Sequence, residues 1–101
     1  MIYVDEMMAC LKSNRWPYTE ACHLFCDVGE LARLHAFARD LGLQRDWFQD
    51  HRDLTHYDLV RTRREAALKL GATAASRNLT VAKMREWREH RKPASVQAEL
   101  L

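Results

Sequence analysis

A chain of 101 residues with 48% apolar side chains has room for one domain and one modest core. No apolar run approaches the eighteen or so residues that a membrane-spanning helix needs, and the opening MIYVDEMM carries acids where a secretory leader would carry bases. Net charge is +2, but residues 1–50 hold five Lys/Arg against eight Asp/Glu, while residues 51–101 hold eleven against six. A basic half fits an anionic partner, and it equally fits solvated helix faces laced with ion pairs. Three cysteines, an odd number, argue against a disulfide framework and for a reducing compartment, so the expected location is cytoplasmic.

In chain order, residues 1–5 alternate and favour β structure, which predicts a short strand with Ile2 and Val4 on one face. Residues 6–21 carry no clear period: Met7, Met8 and Leu11 would fit one helical turn, and residues 14–17 a loop. Residues 21–26, nearly apolar on both faces, read as a central strand. Asp27 and Glu30 have the spacing of a capping box, and Leu31, Leu34, Ala38 and Leu41 follow at helical intervals with Phe37 on the flank. The prediction is a helix over 29–41, closed by Gly42.

A second helix is expected over 61–70, with Ala66, Ala67 and Leu70 inward and Gly71 as its stop; residues 72–76 make a weak third strand. Thr80 then caps a helix over 81–91, with Val81, Met84 and Trp87 as its stripe and Pro93 at its end. Together these predict a mixed α/β domain over 1–93, with about three short strands in a single-layer sheet against three helices, followed by a tail over 94–101.

The stretch 47–64, WFQDHRDLTHYDLVRTRR, holds two histidines, three aspartates, four arginines and the aromatics Trp47, Phe48 and Tyr57. Burying that mixture would require a partner for every charge, so it reads as a polar functional loop on a scaffold. Within it, His56, Tyr57 and Asp58 precede Arg61, Arg63 and Arg64. Arginines in the first turn of a helix oppose its dipole, and an anion would relieve the mismatch, either a ligand phosphate or a nearby aspartate. Both alternatives stay open.

Cys22, His23 and Cys26 invite a zinc reading. On a strand, however, Cys22 and Cys26 lie about 13 Å apart, whereas zinc needs its sulfurs within about 4 Å of each other. Core cysteines are the better reading, and no metal is assigned. His23 and Asp27 are equally far apart on the other face, which leaves His23 free to meet a residue of the polar stretch. His35 reads as a boundary histidine. Asp5 ends the first strand; if strands one and two run parallel, Asp5 and Asp27 emerge on one edge, where ligands gather in α/β sheets. Otherwise Asp5 caps a turn. The basic helix 81–91 is diluted by Glu86 and Glu89, which predicts weak nucleic-acid binding at most.

Several blocks, MIYVD, CHLFCD, ELARLHAFARDLGL, WFQ, HYDL and RREAALKLGA, recur in that order in a small family of bacterial and phage proteins known only as a domain of unknown function. The chain resembles that family over roughly residues 1–75. The resemblance implies a compact intracellular domain and supplies no activity; the matching polar positions are Asp5, His23, Asp27, His56, Tyr57, Asp58 and Arg64. Val60 and Arg61 depart from its usual helix starter.

The sequence reading is therefore a small α/β domain that binds a phosphate-bearing ligand, a nucleotide or nucleic acid, with phosphoesterase or nuclease chemistry as the reaction such groups would serve. His56 is the expected acid–base residue, with Asp58 and Asp5 orienting it or holding a divalent metal. His23, Tyr57, Arg61, Arg63 and Arg64 would bind the ligand. The alternative is a non-catalytic interaction protein, such as a phage-encoded inhibitor or accessory factor, using the basic half against an acidic or nucleic-acid partner.

Overall fold

The computed structural model describes residues 1–91. Strands β1 (Ile2–Val4), β2 (Met8–Ala9), β3 (Glu20–Cys26), β4 (Gln49–Asp50), β5 (Thr55–Leu59) and β6 (Thr73–Ala74) form one sheet, with helices α1 (Leu31–Asp40), α2 (Arg61–Lys69) and α3 (Arg77–His90) packed on it. The order is β4-β5-β3-β1-β6, with β2 paired to β3 off this path. The mixed α/β expectation with three helices holds; the sheet has six strands rather than three. None of the described helices is long and apolar enough to cross a membrane.

β3 is the centre because, apart from His23 and the terminal Glu20, it is apolar and pairs on both sides, antiparallel to β1 (Ile2↔Cys26, Val4↔Leu24) and to β5 (Cys22↔Leu59, Leu24↔Tyr57). β1 also pairs in parallel with β6, in line with the strand expected at 72–76. The conditional parallel arrangement of β1 and β3 is thus corrected. Asp5 meets His23, while Asp27 lies at the far end beside Met1. Residues 8–9 are likewise extended rather than helical, since a hairpin to β3 (Met8↔Ala21) satisfies their backbone.

The strand register sorts the side chains. Val4, Leu24 and Tyr57 share one face with Cys22, Cys26 and Leu59, and all are buried. α1 meets this face, where the Tyr57 hydroxyl lies 2.9 Å from His35 Nδ1, and Leu34 and Ala38 are fully covered. On the other face Tyr3 stacks on Phe25 at 5.2 Å, and α3 covers that end, with Lys83 Nζ over the Tyr3 ring. The remainder of the second face holds His23, His56 and Asp58, and none of the described helices lines the cleft there.

The helix ends correct three expectations. α1 begins at Leu31 without a side-chain cap, because Asp27 and Glu30 both accept from the Met1 amino group instead. α3 begins four residues before 81: Ser76, not Thr80, is the cap, its Oγ accepting from Leu79 N at 3.1 Å, and Thr80 is buried. Val81 faces outward on this helix, while Trp87 is buried. In α2, Leu70 also faces out and Ala67 is the buried residue. The stop at Gly42 is as expected: with φ +86° it closes α1 through Gly42 N to Arg39 O and Leu43 N to Ala38 O, the two bonds of a Schellman cap. Pro93 and the tail over 94–101 lie outside the described residues.

Asp27 ties the second face together. It accepts from the Met1 amino group at 2.8 Å, from Lys83 Nζ at 2.8 Å and from the Tyr3 hydroxyl at 3.1 Å. Partial burial works against its charge, but Lys83, the amino group and Tyr3 outweigh that and hold its carboxyl down at about 2. A depressed acid contributes stability that is present above the ordinary value of about 4. That contribution is lost as pH falls through the folded value. We expect Asp27→Asn to cost about 1 kcal/mol at pH 6, after allowance for solvent screening. The gap from the parent protein should close as pH falls from about 4 towards 2 in urea titrations. A gap independent of pH would assign the cost to packing.

Candidate functional site

Asp5 follows β1 and is 4% exposed. Its two oxygens divide their work on one partner: Oδ1 accepts from His23 N at 2.6 Å, and Oδ2 lies 2.7 Å from His23 Nδ1. The antiparallel pairing of β1 with β3 puts the two residues side by side, with Asp5 N donating to His23 O. His23 is thereby pinned in position and tautomer, its Nδ1–H facing the carboxylate.

β5 supplies the other half. His23 pairs with Asp58 across the strands, and the His23 and His56 rings meet edge to face with centroids 4.6 Å apart. His56 Nδ1 lies 2.7 Å from the Leu54 carbonyl, which requires a proton on that nitrogen and leaves Nε2 directed to Asp58 Oδ1 at 3.4 Å. Gln49 on β4 donates to the other Asp58 oxygen. Side-chain exposure rises from 10% at His56 to 27% at Asp58, so the cluster has a buried floor and a wet rim. His23 and Asp58 line a cleft of about 290 Å³ walled by Met8, Ala9, Cys10, Leu11, Trp16 and Ala21.

Burial opposes a charge on His23, but the hydrogen bond and charge of Asp5, with Asp58 behind, outweigh it and raise its pKa. For Asp58 burial again opposes the charge, and His56, Gln49 and His23 outweigh it, so its pKa is lowered. The cluster therefore favours an imidazolium beside a carboxylate.

Of the residues expected at a site, Asp5, His23, His56 and Asp58 come together, though β5 holds the last two as a core strand and not as a loop. The period-two alternation of Thr55, Tyr57 and Leu59 was the signal for it. Tyr57 points to the opposite face, against His35 and Phe48, so it cannot touch a ligand in this cleft. It borders instead a separate cleft of about 390 Å³ with His35, Arg39 and Arg45.

The arginines do not converge. Arg61 grips Glu20 with two bonds, and Arg63 donates to the Leu41 carbonyl at the end of α1; each relieves the helix-start mismatch with a protein partner. Arg64 alone reaches the cluster, its Nε donating to the Asp5 carbonyl at 2.7 Å. Gln49 and the Leu54 carbonyl escaped the sequence reading, since both act through a strand pairing invisible in the chain order. Cys22 and Cys26 are buried in the sheet core, and burial pushes both thiols up to about 12.

A family model described as "Protein of unknown function (DUF4031)" matches residues 2–87. The chain belongs to this family. No curated protein and no solved structure matches it. The matched span takes in every residue of the cluster, so in this DUF4031 domain the site lies inside the region that defines the family.

Proposed function

We propose that this DUF4031 domain binds a phosphate-bearing ligand, a nucleotide or nucleic-acid phosphate, in the cleft at His23 and Asp58, with phosphoester hydrolysis as the reaction the groups fit. The observation that carries the reading is the two-point grip of Asp5 on His23. It fixes Nδ1 and leaves Nε2 as the ring nitrogen that can meet a ligand. A fixed imidazolium is a strong donor to a phosphate oxygen, and Arg64 adds positive charge behind Asp5. In hydrolysis, Asp58 would take a proton from the attacking water. A P–O bond forms to that water as the ester P–O bond breaks, and His23 gives its proton to the departing oxygen. His56 keeps Asp58 ionised, and Asp5 positions His23.

The test is titration with inorganic phosphate and a nucleoside monophosphate, followed by NMR, with hydrolysis of bis-p-nitrophenyl phosphate assayed beside it. Saturable shifts should centre on His23 and Asp58. His23→Ala should weaken binding at least about tenfold, the scale of one charged hydrogen bond, while His51→Ala in the exposed turn leaves it unchanged. Absence of binding by either probe at millimolar concentration would replace this reading with the alternative, an interaction protein that uses its basic half.

A further inference from the structure

We propose that His23, His56 and Asp58 form a binding site for one divalent transition-metal ion of the zinc type, with Asp5 as the positioning carboxylate behind it. The three side chains offer donor atoms that all lie within 4.8 Å of one another. A tetrahedral ion with bonds of about 2.1 Å needs donors about 3.4 Å apart, the spacing that His56 Nε2 and Asp58 Oδ1 already have, so the set closes by drawing in His23.

The outer contacts pre-organise the set. A metal-binding imidazole uses one nitrogen and donates the other N–H to a carboxylate or a backbone carbonyl, which orients the ring and strengthens the ligand. Both histidines have that arrangement before any ion is considered: His23 Nδ1 on Asp5 at 2.7 Å, and His56 Nδ1 on the Leu54 carbonyl at 2.7 Å. That leaves Nε2 on each ring as the free donor, and His56 Nε2 already faces Asp58 Oδ1 at 3.4 Å. Asp58 is oriented in turn by Gln49. Two imidazoles and one carboxylate suit zinc or iron(II) and leave a coordination position open for water. The cleft beside His23 and Asp58 gives that position access to solvent.

A cation also resolves a conflict of charge. Asp5 and Asp58 together would repel an anionic ligand, and a divalent ion reverses the local sign. With the ion bound, His23 and Asp58 act as ligands rather than as acid and base, and the ion takes over as the positive centre facing a phosphate. The metal site does not depend on the phosphate reading, because its test contains no phosphate.

The experiment is calorimetric titration of chelator-treated protein with Zn²⁺, and with Co²⁺ followed by visible absorption. One equivalent should bind, and the Co²⁺ spectrum should show nitrogen and oxygen ligation without a thiolate charge-transfer band. His56→Ala and Asp58→Ala should each weaken Zn²⁺ at least about a hundredfold. Asp5→Asn, which removes no ligand, should weaken it about 10–100-fold while the folded protein still gives the d–d spectrum. Cys10→Ser, in the cleft wall, should change nothing. Stoichiometric Zn²⁺ binding that survives both His56→Ala and Asp58→Ala would overturn the site, as would no binding by a protein whose circular dichroism shows it folded. A thiolate band lost in Cys10→Ser would move the ion elsewhere and overturn it too. Metal binding without any phosphate binding would leave this site standing and sink only the phosphate reading.

Discussion

Trp87→Ala should destabilise the domain by about 3–5 kcal/mol, the range for emptying an aromatic site in a core. Trp87 is the residue through which α3 enters the sheet: it is 3% exposed, and its Nε1 donates to the Cys26 carbonyl at 2.9 Å. Alanine would leave a void under the helix and an unpaired carbonyl at the end of the central strand. Trp87→Phe separates the two effects, because it keeps most of the ring and loses only the bond, at a cost of about 1–2 kcal/mol. Urea denaturation of the three proteins is the measurement. A loss below about 1 kcal/mol for Trp87→Ala would mean that α3 is not a structural part of the second face.

The second large effect is expected at Asp5. Asp5→Ala removes the acceptor from a backbone N–H and from an imidazole at once, in a place water does not reach. The expected cost is about 3 kcal/mol, the sum of an orphaned N–H and a broken buried pair. Asp5→Asn should cost about half as much. Its oxygen can still accept from His23 N, but its amide now faces Nδ1 and forces the proton to the other ring nitrogen. Arg64 bonds to the main chain of Asp5, so that contact survives in both variants. Denaturation with a chelator present isolates this packing effect from any ion. Equal stability of Asp5→Ala and the parent would show that the dyad is not held as described.

What could be read from the chain follows from which forces decide each element. β3 and α1 were legible because a largely apolar strand and a stripe through Leu34 and Ala38 declare burial locally. β5 carried a period-two signal, but its His56 and Asp58 masked it, since they are tolerable inside only because His23 stands opposite, 33 and 35 positions away. The cap at Ser76 competed with an equally plausible hydroxyl at Thr80, and Asp27 satisfied every local rule of a cap while its oxygens were taken by Met1, Lys83 and Tyr3. At the site the residue types were visible, but their partners were not. Asp5 meets His23 only if β1 and β3 run antiparallel, and nothing between residues 6 and 20 states that. The arginines misled for a physical reason: a guanidinium at a helix start needs an acceptor, and Glu20 and the Leu41 carbonyl serve as well as a ligand.

β5 carries an evolutionary consequence. Its five residues alternate between the hydrophobic interior, through Thr55, Tyr57 and Leu59, and the polar cluster, through His56 and Asp58. Inserting or deleting one residue there exchanges the two sets, sending a tyrosine into the cleft and two ionisable groups under α1. No frame-shifted version of this strand can lose the cluster and keep the fold. Lineages that lose the cluster must do so by substitution, with the length between Leu54 and Arg61 kept as a fixed spacer even where the histidine and aspartate have gone.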